Sequence, residues 1–318
     1  MFGQVVIGPP GSGKSTYCYG LYQFLSVIGR KSCVINLDPA NDNIPYPVAL
    51  DIRNYIKLED VMNEFNLGPN GGLLFAMENL RYELLDEFMD KINKLKQDNY
   101  LIFDCPGQIE LFTHDNSLFK IFKRLGELDI RLCIVSLIDS IYLTSPSQYV
   151  SVLLISLRSM LQMSLPQINV ISKIDKLKSY GKLPFRLNYY TEVQDLEFLT
   201  PLLEKESNSI LGKRYVKLTQ SISTIIEDYN LVSFKVLAVE NKRCMIDLLY
   251  EVDKALGYHG KEVGGDSLWN EVTRNGIGEE VDVHERWIDS KEIYDEQERK
   301  DDEEMRQSMI RSEANEEE

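Results

Sequence analysis

"GPPGSGKST", residues 8–16, decides the fold of this chain. It satisfies the pattern GxxxxGK[ST], follows the apolar run "GQVVIG" at 3–8 and opens the segment "KSTYCYGLYQFLSVIG" at 14–29. In that segment Tyr17, Leu21, Phe24 or Leu25, and Ile28 recur at helical spacing, and Gly29 marks a stop. A strand, a glycine-rich turn and a helix in that order build a cradle for an anion. Glycine backbones curl their N–H groups inward, and the helix N-terminus adds its dipole. Gly11, Ser12, Gly13, Lys14, Ser15 and Thr16 are therefore candidate nucleotide-binding residues. Lys14 has the reach for β- and γ-phosphates, and the Ser15 hydroxyl is a candidate ligand of Mg2+.

Working outward, apolar runs recur as "KSCVINLD" (31–38), "NYLIFDCPG" (99–107), "IRLCIVSLID" (130–139), "QINVIS" (167–172) and "LVSFKVLAV" (231–239), with helical segments between them. Strands that read as near-continuous apolar runs are buried on both faces, which predicts a mostly parallel, doubly wound sheet. The fold class is α/β, a P-loop NTPase. From about 180 to 228 a polar helical stretch is inserted before the last strand. The expected organisation is one nucleotide-binding domain over 1–260, an extension over 261–289, and an acidic, solvated tail over 290–318.

Several strand ends carry chemistry. Asp104 and Gly107 in "FDCPG" are placed to hold Mg2+ through water and to offer an N–H to a γ-phosphate. In "ISKID" (171–175), Asp175 can accept two hydrogen bonds from guanine that adenine cannot donate, Lys173 can lie along the base, and Ser172 precedes them. Asp38 in "NLDPAND" (36–42) is expected at the end of the second strand, beside the phosphates. Gln108 and Glu110, just after the metal aspartate, are candidates with Asp38 for positioning an attacking water. "EFNLGPNGG" (64–72) is a glycine-rich interruption between two helical stretches, with Gly68, Pro69 and Asn70 at its centre. It reads as a stiff, exposed turn, and its Asn70 amide carries no charge to repel a phosphate.

Together "GPPGSGKST", "NLDPAND", "DIRNYI", "LGPNGG", "FDCPGQIELFTH" and "SKID" resemble the GPN-loop GTPases, over residues 4 to about 260. Among the eukaryotic paralogues of that family, "LPFRLNYYTEVQDL" and "EVGGDSLWNEV" most resemble the second group. The resemblance implies Mg2+-dependent binding of GTP and GDP and hydrolysis of GTP. It implies pairing with another GPN-loop paralogue or with a second copy, each subunit pointing its Gly-Pro-Asn loop at the phosphates of the other, so that Asn70 acts as a catalytic residue across the interface. It further implies a base contact at Leu237 and Ala238, where relatives carry a Ser-Ala pair. The implied role is a step in assembling RNA polymerases II and III before nuclear import, through polymerase subunits or assembly factors, in a cytoplasmic protein that shuttles to the nucleus. Two other classes share these residues: a nucleotide-bound scaffold with negligible turnover, which Gln108, Glu110 and Asn70 speak against, and an ATP-dependent P-loop kinase, which Asp175 speaks against.

Composition bounds the rest. The formal net charge of the 318 residues is −15, but residues 279–318 hold 17 acidic against 6 basic side chains, so the body carries only −4. No basic surface for nucleic acid is expected. The most apolar helical stretch, "VSVLLISLRSML" (150–161), is broken by Arg158 and too short to span a bilayer, so no membrane role is expected. The five cysteines show no CxxC spacing and read as small buried hydrophobes in a reducing compartment.

Overall fold

The computed structural model describes residues 1–79, 85–206, 210–258, 283–300 and 303. Strand β1 (Phe2–Ile7) leads through the glycine-rich turn into helix α1 (Lys14–Val27) and back as β2 (Ser32–Asn36). Strand β3 (Val48–Asp51) precedes helices α2 (Leu58–Phe65), α3 (Pro69–Asn79) and α4 (Leu85–Leu95). Strand β4 (Tyr100–Asp104) is followed by α5 (Glu110–Thr113) and α6 (Ser117–Glu127), and β5 (Arg131–Asp139) by α7 (Pro146–Met163). Between β6 (Gln167–Ser172) and β7 (Phe234–Leu237) lie α8 (Leu177–Tyr180), α9 (Leu187–Glu192), α10 (Thr200–Glu206) and α11 (Ile210–Tyr229). Helix α12 (Lys242–Leu256) follows the last strand, and residues 291–300 are helical again.

All seven strands join one sheet in the order β3-β2-β4-β1-β5-β6-β7, and every pairing is parallel. The apolar runs are explained by burial on both faces. In β1, Val6 belongs to the core under α1, α7 and α12, whereas Val5 and Ile7 belong to the core under α4 and α6. In β4, Ile102 and its neighbours Leu101 and Phe103 divide the same way. Full burial of each such side chain contributes about 1.5–3 kcal/mol. The sheet therefore fixes the carboxyl ends of β1, β4 and β6 as one rigid rim, and the phosphate loop, Asp104 and the Lys173–Asp175 turn follow directly from it.

The five cysteines are buried and free, as expected of small hydrophobes. No described helix is long and apolar enough to cross a membrane. The structure departs from the sequence reading in four places. Strand β3 was not anticipated. The second strand ends at Asn36, so Asp38 sits in the following turn. The GPN segment is not a free turn: α3 begins at Pro69, so Pro69 and Asn70 form its first turn, and the N–H of Gly72 bonds to the carbonyl of Gly68 at 2.7 Å. Proline suits that first helical position because its missing N–H would have had no partner there. Finally, the extension carries a docked segment that was not anticipated: Trp287 is only 4% exposed in the larger core, while the helical residues 291–300 that follow are mostly exposed. The extension over 261–282 and the tail beyond 303 lie outside the described residues.

Candidate functional site

The glycine-rich turn is locked onto β5. A Cβ on Gly8 would lie 2.2 Å from the carbonyl oxygen of Leu137, and its φ of +147° disfavours any side chain, so glycine is required there. Lys14, the first residue of α1, is almost buried, and its ammonium donates to the carbonyls of Gly8 at 3.0 Å and Pro9 at 3.2 Å. Burial lowers its pKa, while the carboxylates of Asp104 and Asp38 oppose that shift. Ser12 is buried, and its Oγ has no partner within the protein. Thr16, in the first turn of α1, is exposed. Gly107 closes the opposite wall: a Cβ there would meet the Lys14 ammonium at 3.0 Å and Pro10 Cα at 3.2 Å.

Asp104, the last residue of β4, is the electrostatic centre of the site. Its Oδ2 accepts hydrogen bonds from the Ser15 hydroxyl at 2.7 Å and from the Tyr46 phenol at 2.7 Å. Its Oδ1 is buried and has no partner. Burial raises the Asp104 pKa against those two donors and Lys14. A buried carboxylate with one oxygen bare, beside a serine hydroxyl, fits a divalent cation whose other ligands are water and phosphate oxygens. No cluster of three or more carboxylate, histidine or cysteine side chains able to hold a metal exists among the described residues. Tyr46 was missed in the sequence, where it lies between two prolines in "IPYP" and belongs to no phosphate-site pattern.

Asp38 is held by its surroundings. Its Oδ1 accepts the N–H of Ala40 at 2.9 Å, and its own N–H and carbonyl are both bonded to the Asn36 side-chain amide, at 3.2 and 3.1 Å. Burial raises its pKa, with Asp104 adding to the effect. The "DIRNYI" stretch braces this loop: Arg53 pairs with Asp51 at 2.7 Å and donates to the carbonyl of Asn41 at 2.8 Å, and Asp51 Oδ1 accepts from Asn36 at 3.0 Å. Burial works to raise the Asp51 pKa, but hydrogen bonds from Arg53 and Asn36 outweigh it and hold it below the usual carboxylate value.

Gln108 and Asn70 meet. The Gln108 Nε2 donates to Asn70 Oδ1 at 2.9 Å, while Gln108 Oε1 is buried without a partner. The bond ties the first turn of α3 to the segment that follows Gly107. Glu110 is exposed at the start of α5. Gly72, two residues past Asn70, explains part of the glycine content: a Cβ there would meet Met62 Cγ at 2.9 Å, so glycine lets α3 press onto α2.

Ser172 is buried, and its hydroxyl lies 2.7 Å from the Ser12 carbonyl and 2.9 Å from that of Ile138. It therefore ties β6 to the phosphate loop and to β5, with both contacts made inside the protein. Lys173 pairs with Asp139 at 2.6 Å, a partner the sequence reading had missed. Its chain passes the loop, with Cε 3.9 Å from a Cβ placed on Gly13. Asp175 is exposed in a short turn after β6, with its carboxylate turned to solvent. Leu237 and Ala238 are buried at the end of β7, so they can face a ligand only through backbone groups.

The model of a family described as a conserved hypothetical ATP binding protein matches residues 6–258. The chain is 57% identical to GPN-loop GTPase 2 of Saccharomyces cerevisiae, across 98% of this chain and 90% of that protein. It is 46% identical to GPN-loop GTPase QQT1 of Arabidopsis thaliana, across 93% of this chain and all of that protein. The fold is similar to the crystal structure of a GTPase in apo form from Pyrococcus abyssi, with a TM-score of 0.62, 24% identity, and coverage of 80% of this chain and 97% of that one. That last likeness bears on the fold alone.

Proposed function

This chain belongs to the GPN-loop GTPase family, and on that premise we propose that it binds GTP and hydrolyses it with Mg2+. The observation that carries the reading is the grouping of Lys14 with Ser15 and Asp104, whose second oxygen is bare, beside the Gln108–Asn70 pair. The loop amides and Lys14 hold the phosphates. Ser15 and Asp104 would hold the cation, which would supply neutralisation of the phosphate charge. Gln108 Oε1 and Asp38 accept the hydrogens of the attacking water, with Glu110 at the solvent side. Asp175 accepts from guanine, Lys173 lies along the base, and the backbone at Leu237 and Ala238 closes its edge. Asp175 favours guanine over the adenine nucleotide named in the family description.

We further propose pairing with another GPN-loop paralogue or with a second copy, Asn70 reaching the transferred phosphate of the partner. The cellular role, drawn from the family resemblance, is a nucleotide-dependent step in assembling RNA polymerases II and III in the cytoplasm before import into the nucleus. The test is a nucleotide competition and turnover assay on the purified protein with Mg2+. GTP must displace labelled GDP far better than ATP does, and phosphate must be released. Equal displacement by ATP supports a kinase. Tight GTP binding without phosphate release supports a scaffold.

A further inference from the structure

We propose that residues 283–300 are a clasp that braces the two base-reading loops, with Lys291 and Glu298 as positioning residues that slow the release of nucleotide. The inference rests on the guanine reading above and deepens it. Two bonds tie this segment to the domain at places the base site uses. The Lys291 ammonium donates to the backbone carbonyl of Asp175 at 2.8 Å. Glu298 Oε2 accepts from the Asn241 side chain at 2.7 Å. Asn241 caps α12 through the Cys244 N–H at 3.0 Å, and its own N–H bonds to the Ala238 carbonyl at 3.0 Å. Away from the base site, the N–H of Leu187 at the start of α9 donates to His284 Nδ1 at 2.9 Å and anchors the segment's near end. One end of the clasp thus grips the β6 loop that carries Asp175, and the other grips the β7 turn that carries Ala238.

The clasp is built to be stiff. Arg286 is 7% exposed and donates to Asp295 at 2.8 Å and Glu298 at 2.9 Å, so the carboxylate that holds Asn241 is itself held. The Arg286 guanidinium lies 4.4 Å from the Trp287 ring centre, and Trp287 is buried in the core. An acidic end that served solubility alone would need neither a buried tryptophan nor a buried arginine. The phosphate loop, by contrast, makes none of its described side-chain contacts with this segment. The physical consequence is selective. Loss of a clasp bond lets the Asp175 loop or the Ala238 turn move and weakens contacts to the base, whereas contacts to the phosphates stay as they are.

The test uses the full chain with three substitutions: Lys291→Ala, Glu298→Ala and, as rescue, Lys291→Arg, which keeps a cationic donor. Release of fluorescent GDP is followed after mixing with excess unlabelled GDP. Equilibrium affinities are measured for GDP, for inosine diphosphate, which lacks the exocyclic amine, and for inorganic pyrophosphate. Because each brace reaches the base only through the loop backbone, its loss should cost no more than one ordinary hydrogen bond, about 2- to 12-fold. Lys291→Ala and Glu298→Ala should each speed GDP release by that factor and narrow the preference for GDP over inosine diphosphate. Pyrophosphate affinity should not change, and Lys291→Arg should restore the slow release. Unchanged GDP release in both alanine variants overturns the proposal. So does a parallel loss of pyrophosphate affinity, because the segment would then be a general staple. A wild-type protein that binds ADP as tightly as GDP overturns the guanine reading instead. The clasp then stands if Lys291→Ala still speeds release of the bound diphosphate without weakening pyrophosphate.

Discussion

Tyr46→Phe isolates the electrostatic centre of the site. The phenol is 5% exposed and gives Asp104 one of its two hydrogen bonds, at 2.7 Å. Phenylalanine fills the same space, so no cavity forms, and no solvent is at hand to replace the lost donor. A hydrogen bond to a charged group contributes about 1.5–3 kcal/mol. For a domain of this size each kcal/mol corresponds to about 2–4 °C, which places the fall in melting temperature at about 3–12 °C. The same change should raise the Asp104 pKa further, since a donor that favours the charged form is gone. Mg2+-dependent GTP binding should then fail at a higher pH on acidification than in the wild type. The assay is denaturant unfolding without nucleotide, followed by Mg2+ titrations of GTP binding across pH. The control is the same substitution in an Asp104→Asn background. There the bond is neutral and its loss should cost only about 0.5–1.5 kcal/mol. An equal cost in both backgrounds, or an acid limb that does not move, would refute the claim that Tyr46 acts through the Asp104 carboxylate.

Asn70→Ala separates two geometries: as a donor to a partner's phosphate its loss should slow GTP turnover on the order of 100- to 1,000-fold, but as a brace for Gln108 alone it should slow turnover about 2- to 12-fold and show no added effect in a Gln108→Ala background. Steady-state phosphate release from the single and double variants decides between them. Asp175→Ala should weaken GDP binding about 30- to 150-fold, corresponding to roughly 2–3 kcal/mol for a charge-assisted contact, with no change in melting temperature because the side chain is exposed; calorimetry that finds GDP affinity intact would remove Asp175 from the base site. Asp104→Asn should stabilise the nucleotide-free protein at pH 7 while abolishing Mg2+-dependent binding. Burial raises this carboxyl's folded pKa, so the folded state holds the proton more tightly than the unfolded state, and the stability it contributes is lost as pH rises through the folded value; a lower denaturant midpoint for the variant at pH 7 would show that sign to be wrong.

What the sequence made legible was whatever depends on the backbone path of one strand and the turn after it. The run into "GPPGSGKST" and the apolar strands fixed the sheet, because double-sided burial leaves no polar alternation to confuse them. Strand β3 escaped because it is four residues long, lies at the sheet edge and follows Pro45 and Pro47, which edge strands tolerate and central ones do not. The GPN segment looked like a turn because glycine and proline are poor inside helices. Tertiary contact overrides that preference, since proline opens α3 and Gly72 lets α3 approach α2. The remaining misses share one cause, which is that they depend on pairs far apart in the chain. Tyr46 meets Asp104 across 58 positions, Ser172 meets Ser12 across 160, and Lys291 meets Asp175 across 116. Composition treated the acidic end as helical at most in part and otherwise solvated, since averaging over a window cancels the few side chains that dock. Arg286 and Trp287 are two residues in such a window, yet their burial turns the charges of Asp295 and Glu298 from a source of repulsion into partners. A charge run is thus not evidence of solvation where it contains an aromatic and an arginine together. In this chain that pair brings the acidic end back against the loop that carries Asp175.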